Sequence, residues 1–373
     1  MHVVICGGGV IGASIAYFLA QRGGRATLVE RTGLACAASG KSGGFLALDW
    51  CDGSPLQQLA RRSFALHAQL AHELGGENWG YRRMTTYAGF ADARRLPGRA
   101  APYRLDWLSD AVGLEQRLGS EETTAQVHPG QFTSAIMAAA QARGAELQFG
   151  RVTGLVRQND EVRGVLVDAE TIAADAVVIA MGPWSIEAAG WVPLPAVFGL
   201  KGHSIVFETG SAIPPEALFL EYQEASGASL SPEVFPRADG TTYVCAISSE
   251  SALPQDPAEV APDPGAFERL RALCARLSPA LAHGKVVARQ ACFRPVTRDG
   301  LPLIGRIPGL RNVFVATGHS VWGILNAPAT GEAVTELILD GKARTVDLSP
   351  FSPARLPPRP AARKAARVPH ASE

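Results

Sequence analysis

Residues 3–12 read VVICGGGVIG, and the way the chain leaves that run decides the fold. Val3 to Cys6 is a short apolar stretch of the kind a buried strand requires. It runs straight into Gly7, Gly8 and Gly9. Residues 10–22, VIGASIAYFLAQR, then carry apolar side chains at helical spacing, and Gly23–Gly24 supplies the stop. RATLVE (25–30) reads as a second strand, ending in an acid. The segment is one β-α-β unit of ordinary size.

Gly7, Gly9 and Gly12 form G-x-G-x-x-G inside this unit. Gly7 permits the tight turn out of the strand. Gly9 has no side chain, so a pyrophosphate can approach the backbone. Gly12 lets the helix pack closely on the sheet. The helix start at Val10 and Ile11 offers free N–H groups and partial positive charge to that anion. Glu30 follows Gly12 by 18 residues, in range of an adenosine ribose, and an acid there disfavours the 2′-phosphate of NADP.

The motif leaves NAD and FAD open. Two other stretches favour a flavin. CAASGKSGG (36–44) is a run of small and hydroxyl residues directly after the ribose acid. It is either a flexible loop or one that lets backbone approach a flat ring and a ribityl chain. TGHSVWGI (317–324) precedes a helix whose N-terminus would face the C2=O side of a reduced isoalloxazine, where negative charge develops.

Composition narrows the field. The chain has 373 residues, 47% hydrophobic, with 35 Lys plus Arg balanced by 35 Asp plus Glu. Such a chain buries a large core, in two or three lobes, and presents no global field for nucleic acid or an anionic membrane. Six cysteines are scattered without a CxxC pair, which argues against a disulfide framework and a structural zinc site. A reduced, cytoplasmic setting is expected, with no signal peptide before the first strand and no membrane span.

Further along, a helix is expected at 55–75, a strand at 80–91, a turn at 95–103 and a helix at 105–119. A His-Pro-Gly turn leads into an Ala-rich helix closed by Gly144. A hairpin turn falls at 158–161, and a buried strand at 176–182 is stopped by glycine. Residues 195–250 alternate and are rich in β-branched and aromatic side chains, as an antiparallel sheet requires. A helix is expected at 262–281, a strand at 312–318 and a helix at 327–341. Strand-to-glycine features near 6, 181 and 317 lie far apart, so a nucleotide-binding domain built from all three is discontinuous.

Taken together, VVICGGGVIGASIAYFLAQRG, HPGQFTSAIMAAAQARGAEL, DAVVIAMGPWS, CFRPVTRDGLPLIGRIPGLRNVFVATGH and GILNAPATGEAVTELI resemble the D-amino-acid oxidase and glycine oxidase family of flavoproteins. The resemblance spans roughly residues 1–345. CAASGKSGGFLALDW and GHSVWGILNAPATG look closer to a less characterised branch of FAD-dependent oxidoreductases than to glycine oxidase itself.

The resemblance implies an α/β fold: a discontinuous Rossmann-like FAD-binding domain with an inserted, mainly antiparallel α+β substrate domain. The expected division gives 1–80, 124–194 and 288–348 to the FAD-binding domain. It gives 81–123 and 195–287 to the substrate domain, and 349–373 to a disordered tail. The implied reaction is oxidation of a C–N bond of a small amino acid or secondary amine (EC 1.4 or 1.5), with hydride transfer to flavin N5, an imine that hydrolyses, and oxygen or another acceptor taking the electrons.

Arg294 stands where amino-acid-oxidising relatives place a carboxylate-binding arginine, and a guanidinium fork suits a planar carboxylate. The alternative is a structural salt bridge. Catalytic positions are further assigned to His319, which contacts flavin or substrate or simply bonds a loop, and to Tyr243. Tyr222 is weighed beside Tyr243, and His203 is read as structural. FAD contacts fall on Gly7, Gly9, Val10, Ile11, Gly12, Glu30 and Arg31, then on Ser39, Lys41, Ser42, Gly43 and Gly44. Val152, Ala180, Gly182 and Trp184 follow, and Gly318, His319, Ser320, Trp322, Gly323 and Ile324 close the set. Cys292 lies where sarcosine-oxidase-like relatives tether the flavin covalently; a buried thiol and non-covalent FAD are the favoured reading.

Trp322 replaces a residue that is often polar in glycine oxidases, so glycine specificity does not transfer directly. Two other readings stay open: a non-enzymatic assembly or trafficking factor with FAD bound for stability, and an NAD-dependent dehydrogenase, which leaves the C-terminal motifs unexplained.

Overall fold

The computed structural model describes residues 1–94 and 101–359. The opening strand, His2–Cys6, forms as expected and lies in the interior of a six-stranded sheet. Across this sheet the strands run Leu303–Arg306, Val313–Thr317, Ala176–Ile179, His2–Cys6, Arg25–Glu30 and Glu146–Phe149. All neighbours are parallel except the Leu303–Arg306 edge. Parallel strands are covered on both faces, so they read as continuous apolar runs rather than alternating ones.

The two covers differ. Val3 and Ile5 face helices, chiefly Val10–Gln21, Gln57–Leu74, Pro129–Gln141 and Gly323–Leu339. Val4 and Cys6, one residue out of phase, face a three-stranded antiparallel sheet of Val152–Gln158, Glu161–Val167 and Glu170–Ala173. The period-two alternation of a strand sends successive side chains to opposite layers.

A second sheet of eight strands runs Lys285–Thr297, Val197–Glu208, Thr241–Glu250, Glu233–Pro236, Glu216–Gln223, Thr85–Asp92 and Val112–Gly119, with Ser229–Leu230 beside Glu216–Gln223. Its pairs are antiparallel except Glu216–Gln223 with Thr85–Asp92. Helix Ala266–Leu277 covers one face, packing Leu270, Leu273 and Leu277 near Leu218, Val234 and Val244.

Three expectations change. Residues 105–119 do not form one helix: Val112–Gly119 is a strand paired with Thr85–Asp92, because a ready edge outweighs weak local helix preference. The boundary at 288 does not hold, because Lys285–Thr297 pairs along its length with Val197–Glu208 and carries Arg294 into the second sheet. Residues 349–359 are ordered: Phe351 is fully buried, Arg355 makes a two-pronged ion pair with Asp299, and Arg359 N–H donates to Leu194 O. The rest of the expected tail, 360–373, lies outside the described residues, as do positions 95–100 of the expected turn at 95–103.

The long helix Gly323–Leu339 contains Pro328. A proline has no N–H to give the carbonyl four residues back, which is Ile324 O. The neighbouring helix Gln57–Leu74 makes good the loss: His67 Nε2–H donates to Ile324 O at 2.9 Å. Ser63 Oγ accepts from Ala329 N at 3.1 Å. Burial holds the His67 imidazole neutral, its pKa lowered to about 4. Replacing His67 by Leu leaves Ile324 O without its donor in a dry interior. The variant should lose about 1–3 kcal/mol of stability, read as a lower urea midpoint at unchanged slope.

Candidate functional site

Where the parallel strands end, the chain turns at Gly7. Gly7 adopts φ +114°, and a Cβ there would lie 2.5 Å from Ala180 O. A Cβ on Gly12 would lie 2.1 Å from Gly7 O, so the helix start is pressed onto the turn. At Gly9 the nearest atom to a notional Cβ is Ser39 Oγ at 3.1 Å, and Gly9 lines a cavity of about 720 Å³ between the two large sheets. The three glycines therefore act as the motif requires: turn, close packing, and open approach.

Glu30 is held by the same turn. Its Oε2 accepts from Gly8 N–H at 2.6 Å, and its Oε1 accepts from Thr32 N–H at 2.8 Å and Gly33 N–H at 3.3 Å. Ser39 Oγ accepts from Val10 N–H at 2.9 Å and so caps the first helix from a distant loop. Gly9 and Ile11, whose N–H groups take part in none of these bonds, line the cavity too. Arg31 and Arg151 both pair with Glu187, at 3.3 and 3.4 Å, at the end of the cavity where Val152 lies.

The loop after the second strand crosses to the other sheet. Lys41 Nζ donates to Ala291 O at 3.3 Å, and Ser42 O accepts from Arg237 Nη2 at 3.0 Å. Arg237 in turn lies over the Tyr243 ring, 5.3 Å from its centroid. Gly43 meets Phe235 so closely that a Cβ would lie 2.2 Å from its ring. Lys41, Ser42, Gly43 and Gly44 all line the cavity.

Ala180, Gly182 and Trp184 line it from the turn after strand Ala176–Ile179, with Trp184 Nε1–H fixed on Pro254 O at 2.8 Å. On the far side come His319, Ser320, Trp322, Gly323 and Ile324, at the start of the long helix. The expected contacts Gly12 and Gly318 are absent from the lining. Both act from behind it, Gly318 at φ +80° with its notional Cβ 2.8 Å from Thr297 Cγ2.

Arg294 and Tyr243 reach the cavity from the second sheet. Arg294 Nη2 donates to Ser248 Oγ, and among the described residues it joins no ion pair with a carboxylate. The structural salt bridge expected as an alternative is thus missing. Tyr243 is buried, and desolvation raises its pKa well above the usual phenol value, so it stays a neutral donor. Tyr222 does not reach the site: it sits on the opposite face, with Leu218 and Leu220 in the core beneath helix Ala266–Leu277. His203, read from the sequence as structural, lines the cavity with both ring nitrogens engaged by the protein. Its Nδ1–H faces Ile247 O at 3.4 Å and its Nε2 accepts from Asp263 N–H at 2.9 Å, and burial lowers its pKa.

The structure adds residues that the linear sequence does not reveal. Phe45, Trp50, Phe219 and Phe235 form a continuous aromatic wall, with Phe45 stacked on Phe235 at 5.4 Å and Trp50 edge-on to Phe219 at 4.8 Å. Trp50 also meets Trp322 edge-on at 6.5 Å. Glu233 and Ser248 line the same end. Aromatics in GFLALDW and LFLEYQ were the available signal, but which strands neighbour each other decides whether they meet.

This arrangement defines a flavin-type site, and comparison with known proteins agrees. The family described as FAD dependent oxidoreductase (DAO) matches residues 2–337, and the chain belongs to it. A Schizosaccharomyces pombe protein provisionally named an oxidoreductase is 30% identical, covering 94% of this chain and 97% of its own. The glycine oxidase of Geobacillus kaustophilus is 29% identical over 95% and 96% of the two chains. The crystal structure of a glycine oxidase from that organism superposes with a TM-score of 0.77, at 26% identity over 94% and 97%. An L-proline dehydrogenase from P. horikoshii shares the fold, with a TM-score of 0.77 at 21% identity over 95% and 97%.

The residues present fit FAD. The glycine turn leaves a cradle at Gly9 that a Cβ would fill, and Ser42 Oγ is buried in the cavity wall without a hydrogen-bond partner. Such an orphaned hydroxyl is the kind a ligand satisfies. Among the described residues no group of His, Cys, Asp or Glu is arranged to hold a metal, and no helix is long and apolar enough to cross a membrane.

His319 is buried beside Thr330, with Nε2 3.1 Å from its Oγ1, and burial lowers its pKa to about 3. The unfolded chain protonates it near pH 6.5, so between those values the unfolded state binds the extra proton. Stability therefore falls as pH drops below 6.5. His319→Gln should remove up to one proton from that slope, about 1.4 kcal/mol per pH unit, measured by denaturant unfolding from pH 7 to 4.

Proposed function

We propose that the chain oxidises a C–N bond of an amino acid or secondary amine, with FAD bound non-covalently along the cavity. The observation that carries this reading is Arg294: a guanidinium at the cavity, with a serine hydroxyl and no carboxylate as partner. A cation left unpaired in a half-buried site is completed by an anionic ligand, and the planar fork favours a carboxylate. The relatives named glycine oxidase and L-proline dehydrogenase support the same class.

In this reading the six-stranded sheet and its covers hold the cofactor, and the eight-stranded sheet supplies the substrate's surroundings. Gly7, Gly9, Val10, Ile11 and Glu30 hold the pyrophosphate and ribose end. Arg31, Val152, Ala180, Gly182 and Trp184 line the adenine side. Ser39, Lys41, Ser42, Gly43 and Gly44 hold the middle, and His319, Ser320, Trp322, Gly323 and Ile324 the far end. When bound, FAD supplies the hydride acceptor. The start of helix Gly323–Leu339 directs its positive end toward the cavity and favours negative charge there.

Arg294 binds and orients the carboxylate, which brings the α-carbon to a fixed place. Tyr243 offers a neutral phenol donor. The wall of Phe45, Trp50, Phe219 and Phe235 excludes water and gives an apolar substituent a surface to rest on. Neutral His319 contributes shape and a hydrogen bond rather than charge. The imine product hydrolyses in solvent, and oxygen or another acceptor completes the cycle.

Burial raises the Cys292 thiol's pKa against the opposing pull of Lys41 and Arg294, so it remains a protonated thiol and a poor nucleophile. Six free cysteines suit a cytoplasmic setting. Acid precipitation of the yellow holoprotein should therefore leave the flavin in the supernatant; a yellow pellet would mean a covalent link.

The test of the activity is an anaerobic screen of D-, L- and N-methyl amino acids and simple amines for loss of flavin absorbance at visible wavelengths. At least one carboxylate-bearing amine should bleach it. Arg294→Ala should then weaken that substrate by roughly 2–5 kcal/mol in kcat/KM, mostly through KM. Bleaching by simple amines alone, or an unchanged KM, would remove Arg294 from the role.

A further inference from the structure

The cavity face of the second sheet carries an acid opposite in sign to Arg294. Glu233 opens strand Glu233–Pro236, with two strands, Val197–Glu208 and Thr241–Glu250, between it and the one that bears Arg294. In the sheet register Glu233 lies across from Cys245 on one side and Phe219 on the other, so the three share a face. All three line the cavity together with Arg294.

Glu233 is poorly served by the protein. Its carboxylate's one hydrogen bond among the described residues is from Cys245 Sγ to Oε2 at 3.5 Å, and it joins no ion pair there. A thiol is a weak donor. Charged side chains around it are few: Arg294 acts on it from a distance, and Tyr243 and Cys245 beside it are held neutral by burial. A carboxylate in such surroundings is costly unless something else completes it. Phe219 across the register and Phe235 two residues along the same strand offer the carboxylate aromatic surface and no polar partner.

We propose that Glu233 receives the amino group of the substrate, so that the site recognises an amino acid by both charges: carboxylate at Arg294, amine at Glu233. This rests on the C–N oxidation reading above. The aromatic wall then takes the remaining substituent, which makes a bulky apolar side chain, rather than the hydrogen of glycine, the preferred one. The amino acid arrives as an ammonium. One N–H bond breaks and one O–H bond forms on the Glu233 carboxylate, and the electron pair of the broken bond stays on nitrogen. No oxidant takes part in this step. It leaves a neutral amine, whose lone pair is needed before a hydride can leave the adjacent carbon. Burial, which pushes the Glu233 carboxyl upward in pKa, suits a group that must hold that proton.

The test compares phenylalanine, each enantiomer, with 3-phenylpropanoate, which has the same skeleton without the amine. Binding of 3-phenylpropanoate to the FAD-loaded protein is followed anaerobically by the shift of the flavin spectrum, and that of phenylalanine by the same shift or, for an enantiomer that bleaches the flavin, by the concentration dependence of the bleaching rate. Wild type should hold one enantiomer at least about tenfold tighter than 3-phenylpropanoate. Glu233→Gln should abolish that preference while leaving 3-phenylpropanoate within about twofold. Equal weakening of both ligands, a preference retained in the Gln variant, or no preference in wild type would overturn the assignment.

If the Gln variant does not retain flavin, Glu233→Asp carries the test. It keeps the charge on a shorter arm and should lower the preference about threefold or more; an unchanged preference overturns the assignment. Arg294→Ala separates the two claims. If it leaves 3-phenylpropanoate binding unchanged, the carboxylate reading fails; if it weakens that binding while Glu233 variants change nothing, only the role of Glu233 fails.

Discussion

The contact of Gly7 with Ala180 is the constraint on which the rest of the site depends. Backbone meets backbone there so closely that no side chain fits, and strands His2–Cys6 and Ala176–Ile179 end at one level. That level is the C-terminal edge of the sheet, where ligands of open α/β sheets bind. Gly12 presses on the same turn, so the first helix begins at the mouth of the cavity. Glu30 then ties the turn from the neighbouring strand by accepting from Gly8 N–H. A glycine turn, a helix start and an acid thus converge from residues that lie within one β-α-β unit.

The second sheet closes the cavity with a different chemistry. Its outer face is apolar and packs on a helix. Its inner face mixes aromatic rings with Arg294, Glu233 and two thiols. The loop of residues 36–44 bridges from the cofactor side to this face, through Lys41 on Ala291 O and Arg237 on Ser42 O. A buried cation over the Tyr243 ring and an arginine without a carboxylate are expensive in isolation. Their presence together around one cavity is what points to an anionic ligand there.

Local pattern made much of this legible. The β-α-β unit, the glycine roles and the strand at 176–179 follow from apolar runs and turns that need only their neighbours. Every expected cofactor residue except Gly12 and Gly318 lines the cavity, and those two support it from behind. What the sequence hid depends on pairing across the sheet. Tyr222 and Tyr243 are equivalent as strings, yet one faces a helix and the other the cavity, because strand register sets the face. Val112–Gly119 reads as helix until a partner edge is supplied. Glu233 sits in a short strand with no motif, and only Cys245, Phe219 and Arg294 around it give it meaning. Phe351 and Arg355 lie in a Pro- and Arg-rich stretch that reads as a tail, yet a buried ring and an ion pair hold it to the body.

The most direct test of the central claim, that the glycine turn and the two-sheet cavity hold FAD, is a titration of the apoprotein with FAD followed by quenching of flavin fluorescence, in wild type and in Gly9→Val. The account predicts saturation at one FAD per chain, competition by ADP, and at least about tenfold weaker binding in Gly9→Val that remains folded, because the valine side chain fills the pyrophosphate's approach. Equal FAD affinity in the two proteins, or no saturable binding to wild type, would contradict it.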